Sequence, residues 1–375
     1  MSVITIVPIE TKKQRAKFID FPHDLYAEDP NYVPELFLGQ EDLLNPEKHP
    51  FFKHSSAQLF LAYDGDKIVG RIAAIWNTNF NSFNNVTEGQ FGFFDSINDQ
   101  NVADKLFDAA EKWVREKGAN VICGPINLTT NDSCGLLVEG FNRPPMAMMP
   151  YNPSYYVDLF LNADYLKRVD LRAYLVNKDG ADRRSVLLLD KLEARLGRSG
   201  IRLRKINLKD FKNEAEKIKK VYNKAWDKNV GFVPMTDEEF NFVANDLKKI
   251  VDPKYCILAE RGDEIVGFAL GIPNINEILI NIKRGRLFPT GIFKLLFGLK
   301  KVKSVRVLML GVLEKYRKLG IEACLYGNII KNALPSGIKE AECSWMLDHN
   351  YLMNHAIEQI NADLYKRYRL YEKML

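Results

Sequence analysis

Two parts of this 375-residue chain repeat each other, and the repeat limits the folds open to it. The segment FLAYDGDKIVGRIAAI at 60–75 shares about half of its residues with ILAERGDEIVGFALGI at 257–272. Each has two apolar runs around a turn of Asp and Gly, which is typical of a β-hairpin. LNADYLKRVDL at 161–171 likewise matches INADLYKRYRL at 360–370. Two matches in the same order, at nearly equal offsets, predict a duplicated domain.

The boundary between the copies is predicted at the polar stretch NKDGADRR, residues 177–184. This position gives domains of 1–180 and 181–375. The chain is too long for one ordinary domain and about right for two.

The predicted elements follow the same order in both copies. The first copy has a strand ITIVPI, a helix from about position 12, the hairpin, a strand GQFGFF, an amphipathic helix over 101–118 and a strand NVICGPI. The second has a strand IRLRKI, two helices, the hairpin, a strand SVRVLMLGVL, a helix over 318–333 and a strand AECSWML. Thr236, with Glu239 three residues on, predicts a capping box for the second of those two helices. We therefore expect two mixed α/β units, each with a helix that crosses over late in its sequence.

Composition narrows the class of protein. A formal charge of +5 is small for this length and argues against a dedicated nucleic-acid-binding protein. No apolar run approaches the roughly 18 residues that a transmembrane helix needs, and the chain opens without a secretory leader pattern. We expect a cytoplasmic protein without a transmembrane segment. The five cysteines form no CxxC pair, which predicts reduced core thiols and no metal site.

The second copy carries a strand, a turn and a helix with a recognisable pattern. After the strand VRVLMLGVL, the turn RKLGIE places Arg317 first and Gly320 fourth in the pattern Gln/Arg-x-x-Gly-x-Gly/Ala. On these residues the sequence resembles the GCN5-related N-acetyltransferase (GNAT) superfamily, and both halves look like a two-domain bacterial group within it. The resemblance implies two tandem GNAT-like domains, of which the second holds the acyl-CoA loop.

The resemblance also implies where acetyl-CoA, or another acyl-CoA, binds. Successive amides of the turn, at a helix N-terminus, form an anion site suited to a pyrophosphate. The strand before the turn splays from its neighbour, leaving backbone groups near Leu310 and Val312 unpaired, and the pantetheine arm fills that gap like an added strand. The predicted cofactor-binding residues are Leu310, Val312, Arg317, Lys318, Leu319, Gly320, Ile321 and Asn350.

Two departures from the family pattern bear on function. Glu322 stands where the family has Gly or Ala, and a carboxylate beside a pyrophosphate repels it. A carboxylate in a first helical turn is also favoured by the helix dipole, and it can point outward. The position of the family's proton-donating Tyr holds Ile357, and Met353 replaces its Ala. Glu342 and Asp348, which flank the strand that faces the thioester in this fold, are the candidate catalytic bases; a salt-bridged structural role is the alternative for each.

The first copy lacks the pyrophosphate turn, since INDQN stands at its position without glycine or positive charge. We expect no CoA there. The copy's role is then to shape a substrate pocket or to pack. Its polar stretch at 124–156 is interpreted either as a binding loop or as turn chemistry.

The function that the sequence favours is acyl-CoA-dependent N-acyl transfer, most simply acetyl transfer, to an amine on a small molecule or peptide by direct attack. The alternative is a non-catalytic GNAT-fold protein that binds CoA, another ligand or a partner. A third hypothesis is a transferase for longer acyl chains with residues 281–304 as its channel. That basic and apolar segment is also compatible with a membrane contact or a helix packed on the body.

Overall fold

The computed structural model describes residues 3–177, 183–226, 231–358 and 361–375. The strands in these residues are β1 (Ile4–Pro8), β2 (Ser56–Asp64), β3 (Lys67–Trp76), β4 (Glu88–Ser96), β5 (Val121–Gly124), β6 (Leu136–Glu139), β7 (Leu166–Asn177), β8 (Ile201–Lys205), β9 (Cys256–Arg261), β10 (Glu264–Pro273), β11 (Ser304–Val312), β12 (Glu340–Leu347) and β13 (Asp363–Met374). The helices are α1 (Lys12–Leu25), α2 (Phe37–Leu43), α3 (Thr78–Asn84), α4 (Gln100–Arg115), α5 (Tyr156–Asn162), α6 (Arg183–Arg198), α7 (Phe211–Ala225), α8 (Asp237–Lys248), α9 (Asn276–Leu279), α10 (Gly291–Gly298), α11 (Ile321–Ala333) and α12 (Tyr351–Glu358).

The chain divides into two compact units. The first unit contains residues 1–171, 276–298 and 366–375, and the second contains 172–275 and 299–365. Each unit therefore contains residues from both sides of the boundary that the repeat predicts. Residues 178–182 of that predicted boundary lie outside the described residues.

The first unit is built on a mixed sheet. Its strands follow the order β1-β2-β3-β4-β5, and the end of β13 pairs with β5 from Tyr371↔Gly124 to Met374↔Val121. β2 and β3 form the predicted first hairpin. The amphipathic helix α4 buries Val102, Leu106 and Val114 on this sheet, in a core that also holds Phe91 and Phe107. Burial of these apolar side chains is the main favourable term in forming the unit.

The second unit repeats that strand plan. Antiparallel strands run in the order β8-β9-β10-β11, and β12 lies parallel to β11. β9 and β10 form the predicted second hairpin, and α11 makes the crossover between the parallel strands β11 and β12. Thr236 and Glu239 form the predicted capping box at the start of α8. The fold class predicted from the sequence, two GNAT-like mixed α/β units, is confirmed.

Candidate functional site

β11 and β12 are paired over only part of the length of β11. Their parallel register runs from Ser304↔Glu340 to Val307↔Cys343, although β11 continues to Val312. Beyond Val307, the described register gives β11 no partner on β12. The splayed strand that the family resemblance implies is therefore present.

The exposure of β11 follows this divergence. Leu308, Met309 and Leu310 are half-buried, whereas the residues before and after them in β11 are buried. The register between β10 and β11 shifts at Leu270/Gly271 and passes over Leu308, which is a β-bulge. Bulges of this kind re-aim the backbone and recur beside active sites. We call the space beside Leu308–Leu310 the β11 gap.

The turn after β11 leads into an uncapped helix. α11 starts after Gly320, whose φ of 89° is left-handed and whose position supplies no side-chain cap. Lys318 is left-handed too, with φ 66°. Within the described part of the chain, no acceptor takes the amides of residues 318–323. A helix N-terminus with free amides is a ready anion site.

Two amides just before this anion site, of which that of Arg317 was predicted to belong to it, are used otherwise. Tyr316 N donates to Leu313 O at 2.8 Å, and Arg317 N donates to Glu314 O at 3.1 Å. They close a short 3₁₀ turn before the site begins. The free amides therefore start one residue later than the sequence predicted and extend two residues further into α11.

Of the backbone groups near Leu310 and Val312 that were expected to be unpaired, the two carbonyl oxygens have side-chain partners. Leu310 O accepts a hydrogen bond from the indole Nε1 of Trp226 at 3.2 Å. Val312 O accepts one from Arg317 Nε at 3.2 Å, and Arg317 Nη2 donates to Ala225 O at 2.8 Å. The Arg317 side chain thus ties the turn to the end of α7. A carbonyl oxygen has two lone pairs, so Leu310 can accept a second donor.

Glu322 lies half-buried in the first turn of α11. Among the described residues its carboxylate has no ion pair or hydrogen bond. The helix dipole stabilises this carboxylate, and it also lies where it would repel a bound diphosphate. Behind the turn, a Cβ on Gly320 would lie 2.8 Å from the Leu192 side chain of α6. Glycine therefore allows both the turn's backbone angle and its close approach to α6.

Glu342 lies at the point where the strands diverge, and it is fully buried. Its register partner Arg306 is 3 % exposed and places Nε 3.6 Å from Oε1. The Ser344 hydroxyl donates to Oε1, and the Tyr365 hydroxyl donates to Oε2. A buried carboxylate needs such an ion pair and donors to be tolerated. Glu342 is thus the centre of a four-residue polar cluster at the closed end of the β11 gap.

Asp348 and Asn350 lie at the other end of β12. Asp348 Oδ1 is 3.4 Å from His349 Nδ1, and its side chain is 25 % exposed. Asn350 Oδ1 accepts from Met353 N at 3.4 Å, so the side chain caps α12. Ile357, in the family's Tyr position, is 1 % exposed and belongs to the core. The roles predicted for Asp348 and Asn350 stay predictions.

The cysteines of this unit are poor nucleophiles. Burial, with the nearby charge of Glu342, raises the pKa of the Cys343 thiol to about 12. Burial also raises the pKa of Cys324 in α11 to about 11. The thiolate is the reactive form of cysteine, so neither residue is suited to carry an acyl group.

The corresponding strand of the first unit is covered instead of open. β4 pairs with β5 from Glu88↔Val121 to Gln90↔Cys123, and from there to Ser96 it stays paired with β3 but has no further register partner on β5. The chain after β5 folds back on it: Ile126 N donates to Phe91 O at 2.7 Å, and Phe93 N donates to Asn127 Oδ1 at 2.8 Å. All of β4 is buried.

The helix that follows β4, α4, has a carboxylate side chain at its N-terminus. Asp99 is the N-cap of α4, and its Oδ1 accepts from Asn101 N at 2.9 Å. This carboxylate occupies the position that a phosphate would take at a helix N-terminus. The polar stretch at 124–156 is thereby partly explained, because its first residues fill the strand gap of their own unit.

A cavity of about 600 Å³ lies elsewhere in the first unit. Its lining includes Tyr26, Asp29, Tyr151 and Tyr155. Tyr26 donates a 2.5 Å hydrogen bond to Asp95, which also pairs with Arg71 at 2.7 Å. Burial raises the pKa of Asp95, against the opposing effect of Arg71. In the lining itself, Asp24 pairs with Arg284 and Asp29 accepts a hydrogen bond from the Tyr151 hydroxyl, and these contacts support a structural role.

The comparisons with solved structures define the class of fold. A tandem GNAT protein from the clavulanic acid biosynthesis pathway is 9% identical and covers 99% of this chain and 98% of its own, with a TM-score of 0.59. A GCN5-related N-acetyltransferase from Sphaerobacter thermophilus is 13% identical, with coverage of 98% and 95% and a TM-score of 0.50. The fold is that of tandem GNAT acetyltransferases. No protein-family model matches the chain.

Two curated relatives are much closer in sequence. The bacterial ceramide synthase of Caulobacter vibrioides is 35% identical over 382 residues, covering 99% of this chain and 98% of that protein. Protein YghO of Escherichia coli is 36% identical over 372 residues, covering 97% and 94%. The chain belongs to the family that these two proteins represent.

The sequence did not indicate the roles of three residues that lie at the β11 gap or at the corresponding strand of the first unit. Tyr365 approaches Glu342 from β13, Trp226 covers the β11 carbonyl, and Asn127 fills the first unit's gap. Tyr365 lies within the repeated segment at 360–370, where the first copy has Leu166. That difference was visible in the sequence, but its contact with Glu342 was not.

Proposed function

We propose that the second unit is an acyl-CoA-dependent N-acyltransferase site. The observation that carries the proposal is the uncapped N-terminus of α11, with its free amides at 318–323, directly after the half-exposed β11 gap. A diphosphate suits the amides, and an extended thioester arm suits the gap. From Val307 to Val312 the strand offers about 17 Å of length at roughly 3.3 Å per residue.

The acceptor we propose is a long-chain amine. Support comes from the relative named bacterial ceramide synthase, since a ceramide is the amide of a fatty acid with a long-chain amino alcohol. The simple acetyl transfer favoured by the sequence is the narrower hypothesis within the same chemistry. Acyl chains longer than acetyl fit this acceptor class equally well.

The reaction proposed at the closed end of the gap is direct attack. The amine nitrogen attacks the thioester carbonyl, the carbon–sulfur bond breaks, and CoA leaves as the thiolate. The nitrogen gives a proton to the Tyr365 oxygen while the Tyr365 hydroxyl passes its own proton to Glu342. A positioned proton acceptor is worth on the order of 10²–10⁴ in rate, and the resting hydrogen bond supports this relay.

The experiment is acyl transfer measured as release of CoA thiol. We expect turnover with a long-chain amino alcohol and much less with a short-chain amine that has the same head group. Tyr365→Phe is expected to lower kcat about 10²-fold without changing the Kd for CoA. Tyr351→Phe is the matched control, because Tyr351 is 77% exposed on α12.

Three outcomes contradict parts of this proposal separately. CoA binding without turnover on any amine supports the non-catalytic alternative. Unchanged kcat in Tyr365→Phe removes the proton relay. Equal rates with short and long amines remove the lipid acceptor while leaving acyl transfer intact.

A further inference from the structure

Residues 287–298 of the first unit expose an unusual number of large apolar side chains. Phe288 and Phe297 are each 72% exposed, and Phe293 and Leu296 are each 58% exposed. Phe293, Leu296 and Phe297 have the i, i+3, i+4 spacing that places them on one face of α10. A contiguous apolar face of this kind marks an interaction surface more often than a lone exposed leucine does.

The segment is presented on a fixed base. The turn before it is joined to α1 by two ion pairs, Arg284 Nη1 to Asp24 Oδ1 at 2.6 Å and Arg286 Nη2 to Asp20 Oδ2 at 2.8 Å. Gly285 lies so close to the main chain between α1 and α2 that a Cβ would meet a carbonyl oxygen at 1.8 Å. The apolar face is therefore held outward by specific contacts, so a loose loop does not account for its exposure.

The charge around the segment has one sign. Residues 278–313 contain eight Lys and Arg and no Asp or Glu. Three of those cations already have carboxylate partners, since Arg284 and Arg286 pair with α1 and Arg306 pairs with Glu342. Lys283 and Lys294 are exposed in the first unit, and Lys300 and Lys301 follow two and three residues after α10. An apolar face with flanking lysines complements an anionic lipid surface, where phosphates meet the lysines and acyl chains meet the rings.

We propose that residues 287–298 dock this chain on membranes that contain anionic phospholipid. The Phe and Leu side chains enter the boundary between headgroups and acyl chains, and the lysines stay at the level of the phosphates. No helix among the described residues has the length and apolar character needed to cross a bilayer, so the contact is interfacial. This inference goes beyond acyl transfer and does not depend on it, although an enzyme for a long-chain amine would find its acceptor there.

The test is vesicle co-sedimentation of the full chain without acyl-CoA or amine. The vesicles are phosphatidylcholine alone, or phosphatidylcholine with a minority of phosphatidylglycerol. We expect stronger binding to the anionic vesicles, weakened by added salt because exposed charges are screened. The double variant Phe293→Ser/Phe297→Ser is expected to lose at least about tenfold in partitioning, and Lys294→Glu a smaller factor.

The matched control is Leu161→Ser/Leu166→Ser, which removes two exposed apolar side chains elsewhere in the same unit (50% and 69% exposed). Circular dichroism and thermal melting check that each variant folds. Equal partitioning of the two double variants would overturn the proposal, as would no preference for anionic vesicles. If the parent chain self-associates but does not bind vesicles, and the Phe variant does not self-associate, then the apolar face contacts a second copy of the chain and the proposal is wrong.

Discussion

The β11 gap of the second unit is open, whereas the corresponding strand of the first unit, β4, is covered by the chain that follows β5. In the second unit Leu308–Leu310 are half-exposed, and the helix that follows starts at an uncapped glycine. In the first unit β4 is buried throughout, its backbone is bonded by Ile126 and Asn127, and Asp99 caps the helix that follows. The same strand–turn–helix plan is thus either left open for a ligand or completed by the chain itself. Self-completion in one copy explains why we expect one cofactor per chain.

The largest effect we expect comes from displacing the segment that covers β4 in the first unit. In Gly92→Ala, the new Cβ would lie 2.1 Å from the Ile126 carbonyl oxygen, so the covering segment must move. We expect a loss of about 3 kcal/mol or more in the free energy of unfolding, because overpacking against backbone is not easily relieved. Urea denaturation followed by circular dichroism measures it. Gly39→Ala is the control, since its nearest neighbour is at 3.9 Å; similar unfolding midpoints for both variants would contradict the close packing.

The next effect concerns the uncapped N-terminus of α11 in the second unit. Gly320→Asp places a carboxylate at the N-terminus of α11, whereas Gly320→Asn has nearly the same shape without charge. Both residues tolerate a left-handed backbone better than most, and both meet the Leu192 side chain equally. We expect the Asp variant to bind CoA at least about tenfold more weakly than the Asn variant, a difference of about 1.4 kcal/mol.

Calorimetry with CoA gives the two dissociation constants. Equal affinities for the Asp and Asn variants would mean that the diphosphate binds elsewhere. Affinity lost equally in both would point to backbone strain at Gly320 rather than to charge.

An effect of comparable size is expected in the first unit's gap. Asn127→Ala removes the acceptor for Phe93 N and leaves a buried amide unpaired, at a cost of about 1–3 kcal/mol in the free energy of unfolding. The affinity of the chain for CoA should stay the same, because the site that we propose for CoA belongs to the second unit. Denaturation and calorimetry on the same preparation check both. A second CoA per chain in this variant would show that the first unit's gap is a latent site.

The last expected effect is a pH dependence that arises in the first unit. Burial lowers the pKa of His23 from 6.5 to about 4, with Asp20 opposing the shift. The unfolded chain therefore gains a proton near pH 6.5 that the folded chain takes up only near pH 4, so stability falls as the pH drops through that window. The Tyr32 hydroxyl lies 2.9 Å from His23 Nδ1 and suits the neutral ring. His23→Gln should flatten this part of the stability curve; an unchanged slope would place the dependence on other groups.

The sequence predicted the parts of the fold that local pattern determines. The two hairpins, the capping box at Thr236 and the strand–turn–helix around Gly320 follow from turn residues and apolar periodicity, and all are present. The start of α11 was placed three residues early, because Lys318 and Gly320 are left-handed and delay the helix.

The candidate site was harder to predict because its key contacts join residues far apart in the chain. Glu342 was identified, but its partners Arg306 and Tyr365 come from different strands, and only register and burial reveal them. Asn127 lies in the polar stretch that was interpreted either as a binding loop or as turn chemistry, whereas its side chain replaces a missing strand contact. Spacing in a sequence cannot show whether a gap between strands is open or filled.

The most direct test of this comparison is the structure of crystals soaked with CoA. The account predicts one molecule per chain, with its diphosphate on the amides of residues 318–323 and its pantetheine beside Leu308–Leu310, and no density against β4 or Asp99. A diphosphate found away from α11, or a second molecule displacing Ile126 and Asn127, would contradict it.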